Sequence, residues 1–217
     1  MERNLGRLEC GGCLLASGVV QLAVVMLLAQ LYYPCGQHGC YNIFTNPISD
    51  FGNTATSALW PLFNYSLALF GIMTIAGAFL AARAFSGIPA CRLGLVLIVA
   101  SALGAVGVGV VPENTILAIH SASALVAFVG GGIAALLFGV GMRGRKEYRN
   151  YSLYSMLTGA LTLLSILVFM LPSFGMLPAW RMYGQGFGFG GMERIAAYLV
   201  LAWLYVTGMM LVRRRTL

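Results

Sequence analysis

The sequence predicts an all-α membrane protein that folds as one bundle of six transmembrane helices. Of its 217 residues, 59% are hydrophobic and only 9% are charged, whereas soluble domains carry about 25% charged residues. The apolar residues fall into six long stretches. A bilayer core of about 30 Å needs about 20 helical residues to cross it, and only a helix satisfies its own backbone hydrogen bonds within lipid.

The six spans and their short connections use nearly the whole chain, so we treat residues 1–217 as a single transmembrane domain. The first stretch is too long for a cleaved signal peptide and is followed by further spans. The spans are predicted near residues 14–33, 58–82, 93–111, 115–142, 152–171 and 195–212.

The net charge of +7 reports membrane topology rather than nucleic-acid binding, because the basic residues lie on one side of the predicted bundle. The other side carries only Arg181 and Arg194. Cytoplasmic loops are enriched in lysine and arginine, which predicts a multi-pass protein of the cell membrane with both termini in the cytoplasm. The basic residues on that side are Arg3, Arg7, Arg83, Arg92, Arg143, Arg145, Lys146, Arg149, Arg213, Arg214 and Arg215.

The cysteines divide between the two predicted sides of the membrane. Cys35 and Cys40 flank a short segment of the first non-cytoplasmic loop, where an oxidising compartment permits a disulfide. Geometry rather than spacing decides whether they pair. Cys10 and Cys13 form a C-x-x-C pair without a second pair or a histidine beside it, so we interpret them as reduced and inert.

The segment before the second span begins with the turn former Asn46-Pro47 and offers two interpretations of Asp50. Asp50 either caps the second helix or belongs to a functional cluster. If the helix begins there, helical spacing places Asn53 and Asn64 on the same face as Asp50, a polar stripe that must face protein or water. Pro61 is then expected to kink the helix.

Small polar residues follow one face of the third span and of the fifth span. Ser101 and Gly104 belong to the first of these stripes, and Ser155 and Gly159 belong to the second. Small side chains let helix backbones approach closely. We therefore predict packing seams at both faces.

The fourth span follows Glu113 and carries His120 about six residues into the helix, or about 9 Å deep. Small residues then recur every fourth position from Ser123 to Gly139, which predicts a helix-packing face. His120 lies on the same side and should point into the bundle, with Ser121 beside it. Such a histidine is either a buried hydrogen-bonding partner or a functional base.

The sixth span opens with Glu193 and Arg194. The helix dipole favours an acidic residue in the first turn, and Arg194 is a candidate to pair with Glu113 or Asp50 or to hold a phosphate. Alternating glycines over residues 184–190 predict a flexible or re-entrant loop. No strand precedes this run, so it is not a dinucleotide-binding fingerprint.

Four motifs, in order along the chain, resemble the domain of unknown function 998 family, which comprises multi-spanning membrane proteins of archaea and bacteria. The resemblance covers about residues 14–212, and the family name implies no activity. A shorter likeness to DRAM-type six-span proteins, some linked to GPI-anchor lipid remodelling, implies lipid-related work at the non-cytoplasmic face. The motifs are Asn46-Pro47-Ile48-Ser49-Asp50-Phe51-Gly52-Asn53, Pro61-Leu62-Phe63-Asn64, Pro112-Glu113 with Ile119-His120-Ser121, and Gly191-Met192-Glu193-Arg194.

These residues support two hypotheses of different classes. The first is a hydrolase or transferase acting on a lipid-like substrate in the outer leaflet, with four candidate catalytic residues. His120 would act as general base or acid, oriented by Asp50 or Glu113, and Glu193 would be a second acid–base or metal-binding group. The metal and cofactor requirements of this hypothesis stay open. The residues assigned to substrate binding are Arg194, Asn46, Asn53, Asn64 and Ser121.

The second hypothesis is a non-catalytic lipid-binding protein or an accessory membrane subunit, in which the same side chains fix helix register. Both hypotheses predict membrane lipids as partners and no nucleic acid, with homo-oligomer or complex formation through the small-residue faces. A transporter is less favoured because the sequence has no evident inverted repeat. Electron transfer is less favoured because the two histidines form no haem-binding pair.

Overall fold

Six long helices account for most of the chain in a computed structural model that describes residues 2–35, 40–171 and 188–213. Each is long and apolar enough to cross a membrane, and no strand occurs in these described ranges. The all-α, six-helix prediction is therefore confirmed. The helices are α1 Glu2–Leu31, α2 Trp60–Ala81, α3 Pro89–Val110, α4 Leu117–Met142, α5 Arg149–Met170 and α6 Gly188–Val212.

The helices form a ring in chain order, and α6 closes the ring by packing back on α1. Helix α4 also contacts α6, so α5 packs outside these two helices rather than on the centre of the ring. A Cβ on Gly208 of α6 would lie 2.7 Å from the carbonyl oxygen of Gly12 of α1. This contact brings the two ends of the chain to the same end of the bundle, which we call the termini end.

The predicted packing seams are present. A Cβ on Gly159 of α5 would lie 2.6 Å from the carbonyl oxygen of Gly132 of α4, and one on Gly104 of α3 would lie 2.6 Å from that of Ser123 of α4. The Ser101 hydroxyl donates to the Ala127 carbonyl across the same α3–α4 contact, at 2.6 Å. Backbones thus approach closely where side chains are smallest.

Two helices begin earlier than their apolar stretches predicted. Helix α1 begins at Glu2 rather than near residue 14, and α6 begins at Gly188 rather than near residue 195. The predicted spans reported the apolar part of each helix, whereas the helical backbone continues into polar flanks. Gly188 and Gly190 therefore belong to the first turn of α6 instead of the predicted loop, and residues 184–187 of that run lie outside the described residues.

Of the two interpretations of Asp50, the one in which it caps α2 is wrong, whereas the start of α2 lies close to that of the predicted span near residues 58–82. Asp50 lies in a short 3-10 helix, Ile48–Gly52, and α2 begins only at Trp60 after a non-helical segment. Pro61 occupies the first turn of α2, where a missing N–H is not needed, so the predicted kink is also wrong. Residues 40–59, which cover the end of the bundle opposite the termini, are called the cap.

Candidate functional site

An aromatic cluster holds the cap against the bundle. The Tyr41 and Phe51 rings stack with centroids 4.8 Å apart, and Phe51 meets Phe63 of α2 edge-on at 5.7 Å. Tyr33, just beyond α1, contacts Tyr41 at 4.9 Å. Aromatic pairs of this kind contribute about 0.5–1.5 kcal/mol beyond the area they bury. The cap is therefore anchored from both α1 and α2.

Arg194 attaches the cap to α6. Its side chain is only 7% exposed, and Nη1 donates to the carbonyls of Ile43 at 2.8 Å, Asn46 at 2.7 Å and Gly190 at 2.9 Å. Nη2 donates to the Tyr41 hydroxyl. The structure thus places Arg194 on cap carbonyls and a phenol, not on Asp50 or Glu113, and its position indicates a tether.

The first turn of α6 has to be glycine-rich for the cap to fit. Gly188 has a φ of +49°, a left-handed conformation that favours glycine. A Cβ on Gly188 or Gly190 would collide with the carbonyls of Phe44 and Asn46 respectively. The Gly191 amide also donates to the Phe44 carbonyl at 3.1 Å. Part of the glycine run is therefore a docking surface for the cap backbone.

The Glu193 carboxylate accepts hydrogen bonds at the start of the 3-10 helix of the cap. The Ile48 amide donates to its Oε2 at 2.6 Å, and the Ser49 amide also faces the carboxylate. The first amides of a helix have no partner within the helix, and a carboxylate from α6 fills that role for this short one. Glu193 also lines the central cavity described below.

A second carboxylate group lies in the cap and the α3–α4 loop. Asn46 Nδ2 donates to Asp50 Oδ2 at 2.8 Å, and Asn53 Nδ2 donates to Glu113 Oε1 at 3.2 Å. The Glu113 carboxyl lies within hydrogen-bonding reach of Asp50. Burial raises the pKa of Asp50 to about 6; the nearby Glu113 carboxyl adds to the rise and the Asn46 hydrogen bond opposes it.

His120 is buried in the first turn of α4, with 7% of its surface exposed. Its Nδ1 lies 2.8 Å from the Val111 carbonyl oxygen. A carbonyl can only accept a hydrogen bond, so Nδ1 carries the proton. Nε2 is then the ring nitrogen free to accept a hydrogen bond, and His120 also lines the central cavity.

A cavity of about 90 Å³ runs through the centre of the ring and is lined by the cap and by every helix except α5. Ser49, His120 and Glu193 line its polar end beneath the cap. Its other walls are almost wholly apolar, from α2 residues such as Phe70 to α6 residues such as Leu204. The cavity is thus a long apolar space with a polar head.

Besides Ser101, whose hydroxyl donates to the Ala127 carbonyl, the apolar walls also carry the polar residue Thr74. Its side chain is 2% exposed, and its hydroxyl has no hydrogen-bond partner within the described part of the chain. Buried polar atoms in native proteins nearly always have a partner, so this hydroxyl marks a position that a water molecule or a bound molecule would satisfy. Thr74 escaped prediction because isolated Ser and Thr residues in spans usually report only helix packing, and Ser49 was not assigned to substrate binding because it lies in the irregular segment before α2.

The sequence-predicted residues thus form two neighbouring groups rather than one. His120 and Glu193 both line the cavity. Asp50 of the cap and Glu113 of the α3–α4 loop lie close to each other outside the cavity lining. Asn64 is buried and donates from Nδ2 to the Gly52 carbonyl at 3.0 Å, so it fixes the cap to α2.

Ser121 and the two loop cysteines lie away from the cavity lining. The Ser121 residue is exposed on α4. Cys35 and Cys40 are joined by a disulfide, and residues 36–39 between them lie outside the described residues. Within the described ranges, no three His, Cys, Asp or Glu side chains are arranged to hold a metal ion.

A family model described as protein of unknown function (DUF998) matches residues 15–210. The chain belongs to the DUF998 family. The matched range contains the cap, the four candidate catalytic residues and all the residues that line the cavity. The likeness to DRAM-type proteins stays a prediction. Comparison with curated proteins and with solved structures returns no match.

Proposed function

We propose that this DUF998 protein binds the alkyl chain of a membrane lipid in the central cavity, with the polar group of the lipid at Ser49, His120 and Glu193. The observation that carries this proposal is the shape and chemistry of the cavity, which is apolar along its length and polar at one end. Ligand sites typically combine apolar walls with a few convergent polar groups.

The length of the cavity matches one leaflet of a bilayer. From Glu193 to Leu204, both on its lining, the α6 backbone advances eleven residues, or about 16 Å at 1.5 Å per residue. Half of a hydrocarbon core of about 30 Å is about 15 Å, the depth that one layer of lipid tails occupies. A volume of about 90 Å³ is smaller than a linear chain of this length occupies, since a cavity of about 150 Å³ holds a single benzene. Binding therefore requires lining side chains such as Met26 to move outward, and a ring-shaped ligand would require a larger rearrangement.

The charge distribution supports placing the cap on the non-cytoplasmic side of the cell membrane. Basic residues concentrate in the segments at the termini end, including Arg143, Arg145 and Lys146 between α4 and α5, and such residues mark cytoplasmic loops. The polar end of the cavity then lies near the head groups of the outer leaflet. A lipid of that leaflet is the occupant that we propose.

Narrowing the cavity tests the proposal. Ala197 is buried on its α6 wall, and Ala197→Leu should lower the affinity for a long-chain lysophospholipid about tenfold, within the 1–3 kcal/mol that overpacking costs. Ala160→Leu is the matched control, because Ala160 is exposed on α5, which does not line the cavity. Native mass spectrometry of the purified full chain in detergent measures both affinities. Equal affinities in the two variants would refute the proposal.

Acid–base chemistry on the bound lipid is a second candidate, favoured by the hydrogen bonding of His120. With Nδ1 held by a backbone carbonyl, Nε2 is oriented as in a general base, and Glu193 lines the same end of the cavity. His120→Gln should then abolish turnover of a membrane lipid extract while lysophospholipid still binds and thermal stability persists, because glutamine can hydrogen-bond the polar group of the lipid but cannot act as a base. Absence of turnover by the unmodified protein would leave binding as the function.

A further inference from the structure

A groove of about 250 Å³ lies between α1 and α6, on the side of the bundle near the cap. Ala23 and Leu27 of α1 and Tyr198 of α6 contribute to it. The exposed fractions of Leu27 and Tyr198, 58% and 48%, show that this surface faces outward at the level of the spans. In a membrane such a surface is in contact with lipid tails.

The groove and the central cavity share part of their walls. Met26 of α1 and Leu201 of α6 line both spaces. The barrier at this point therefore includes two flexible apolar side chains, and methionine adapts readily to irregular space. A rotamer change of these side chains would join the two spaces.

Helices α1 and α6 are tightly packed toward the termini end and diverge toward the cap. A Cβ on Gly12 would lie 2.5 Å from the Gly208 carbonyl oxygen, and a Cβ on Gly208 would meet the Ala16 amide nitrogen at 2.9 Å. The backbones are in contact there. Further along α1 the groove opens, and the α1 residues that line it run from Val19 to Gln30.

The other contacts around the cavity are closed at this level. Gln21 and Ser66 join α1 to α2 through hydrogen bonds of 2.8 and 3.0 Å. A Cβ on Gly109 of α3 would lie 2.6 Å from the carbonyl oxygen of Asn64 of α2. A Cβ on Gly107 of α3 would likewise lie 2.6 Å from the Ser123 hydroxyl of α4. At the α4–α6 contact a Cβ on Gly131 would lie 2.7 Å from the Val200 side chain, and α5 packs outside it. Within the described part of the chain, the α1–α6 contact is thus the one suited to lateral entry from the bilayer.

We infer that the α1–α6 groove is the subsite for a second alkyl chain and that the ligand is a two-chain lipid. One chain passes between Met26 and Leu201 into the cavity, and the other lies in the groove against Ala23 and Tyr198. This inference rests on the proposed function. The observation that supports the inference is that Met26 and Leu201 line both the cavity and the groove. The proposed ligand therefore enters laterally from the bilayer.

A comparison of one-chain and two-chain probes tests the subsite. Phosphatidylglycerol and lysophosphatidylglycerol share a head group and differ by one chain. The unmodified protein in detergent should bind phosphatidylglycerol at least about tenfold more tightly, because linked contacts raise overall affinity. Ala23→Trp fills the groove and should remove this difference while leaving lysophosphatidylglycerol affinity unchanged. Val20→Trp is the matched control, since Val20 is exposed on α1 but lines neither space.

The outcomes separate the two proposals. Equal affinity of the unmodified protein for the two probes, or an Ala23→Trp effect equal to that of Val20→Trp, would overturn the groove subsite while leaving the cavity proposal intact. Lysophosphatidylglycerol binding that Ala197→Leu does not weaken would overturn the cavity proposal, and the groove subsite with it. Ala23 and Val20 are both exposed on α1, and thermal unfolding of each variant verifies that it is folded.

Discussion

Raising the pH from about 4 to about 7 should weaken the contact between the cap and the α3–α4 loop, because Asp50 ionises beside Glu113. The pKa of Asp50 is raised from 3.8 to about 6 in the folded protein, and a shift of about 2 units corresponds to about 3 kcal/mol if the group is fully buried. Asp50 is only partly buried, and solvent screening reduces this to about 1–2 kcal/mol.

The sign follows from the direction of the shift. The folded state holds the Asp50 proton more tightly than the unfolded state, so the stabilisation is complete below about pH 3.8. It is lost as the pH rises through about 6. Between these values the free energy of unfolding should therefore fall, and the loss should be complete by about pH 7.

Asp50→Asn isolates this effect, because asparagine has the same size and can still accept the Asn46 hydrogen bond but does not titrate. The assay is denaturant unfolding of the purified protein in detergent at several pH values. The difference in unfolding free energy between variant and unmodified protein should grow by about 1–2 kcal/mol from pH 4 to pH 7. Glu9→Gln, at an exposed site near the termini end, is the control. Identical pH profiles for Asp50→Asn and the unmodified protein would refute the reasoning.

Two further substitutions probe the attachment of the cap to α6. Arg194→Gln should lower the free energy of unfolding by roughly 3 kcal/mol or more, because it removes a charged donor from the carbonyls of Ile43 and Asn46 inside a buried contact. Gly190→Ala should cost about 1–3 kcal/mol in the same unfolding assay, because its Cβ collides with the Asn46 carbonyl. Gly6→Ala, where a Cβ meets nothing within 4 Å, is the matched control and should not destabilise the protein. An Arg194→Gln protein of normal stability would show that the guanidinium does not hold the cap.

Regular periodicity explains what could be predicted from the sequence. The inward direction of His120 follows from its position on the small-residue face of α4, since residues three or four apart share a helix face. Ser121, only one residue further, is exposed for the same reason. The packing faces of the α3–α4 and α4–α5 contacts were likewise predictable, because small residues three or four positions apart form one helix face on which backbones can approach closely.

The cap could not be predicted in the same way, because no repeating pattern determines the path of an irregular segment. One interpretation made Asp50 the cap of α2, whereas Asp50 lies within a 3-10 helix and a non-helical stretch separates it from α2. Three of the hydrogen-bond partners of Arg194 are main-chain carbonyls, which carry no signature in the sequence. The cavity arises from the absence of side-chain volume among five helices, a property of their packing rather than of any one segment.

Glu193 and Arg194 are consecutive in the chain but bind the cap with opposite polarity. The Glu193 carboxylate accepts from cap amides, whereas the Arg194 guanidinium donates to cap carbonyls. Because of this arrangement, a tilt of α6 would also displace the cap, which covers the polar end of the central cavity. The same helix forms one side of the outward-facing groove. Movement of α6 away from α1 would thus open the cavity toward the bilayer and displace the cap at the same time.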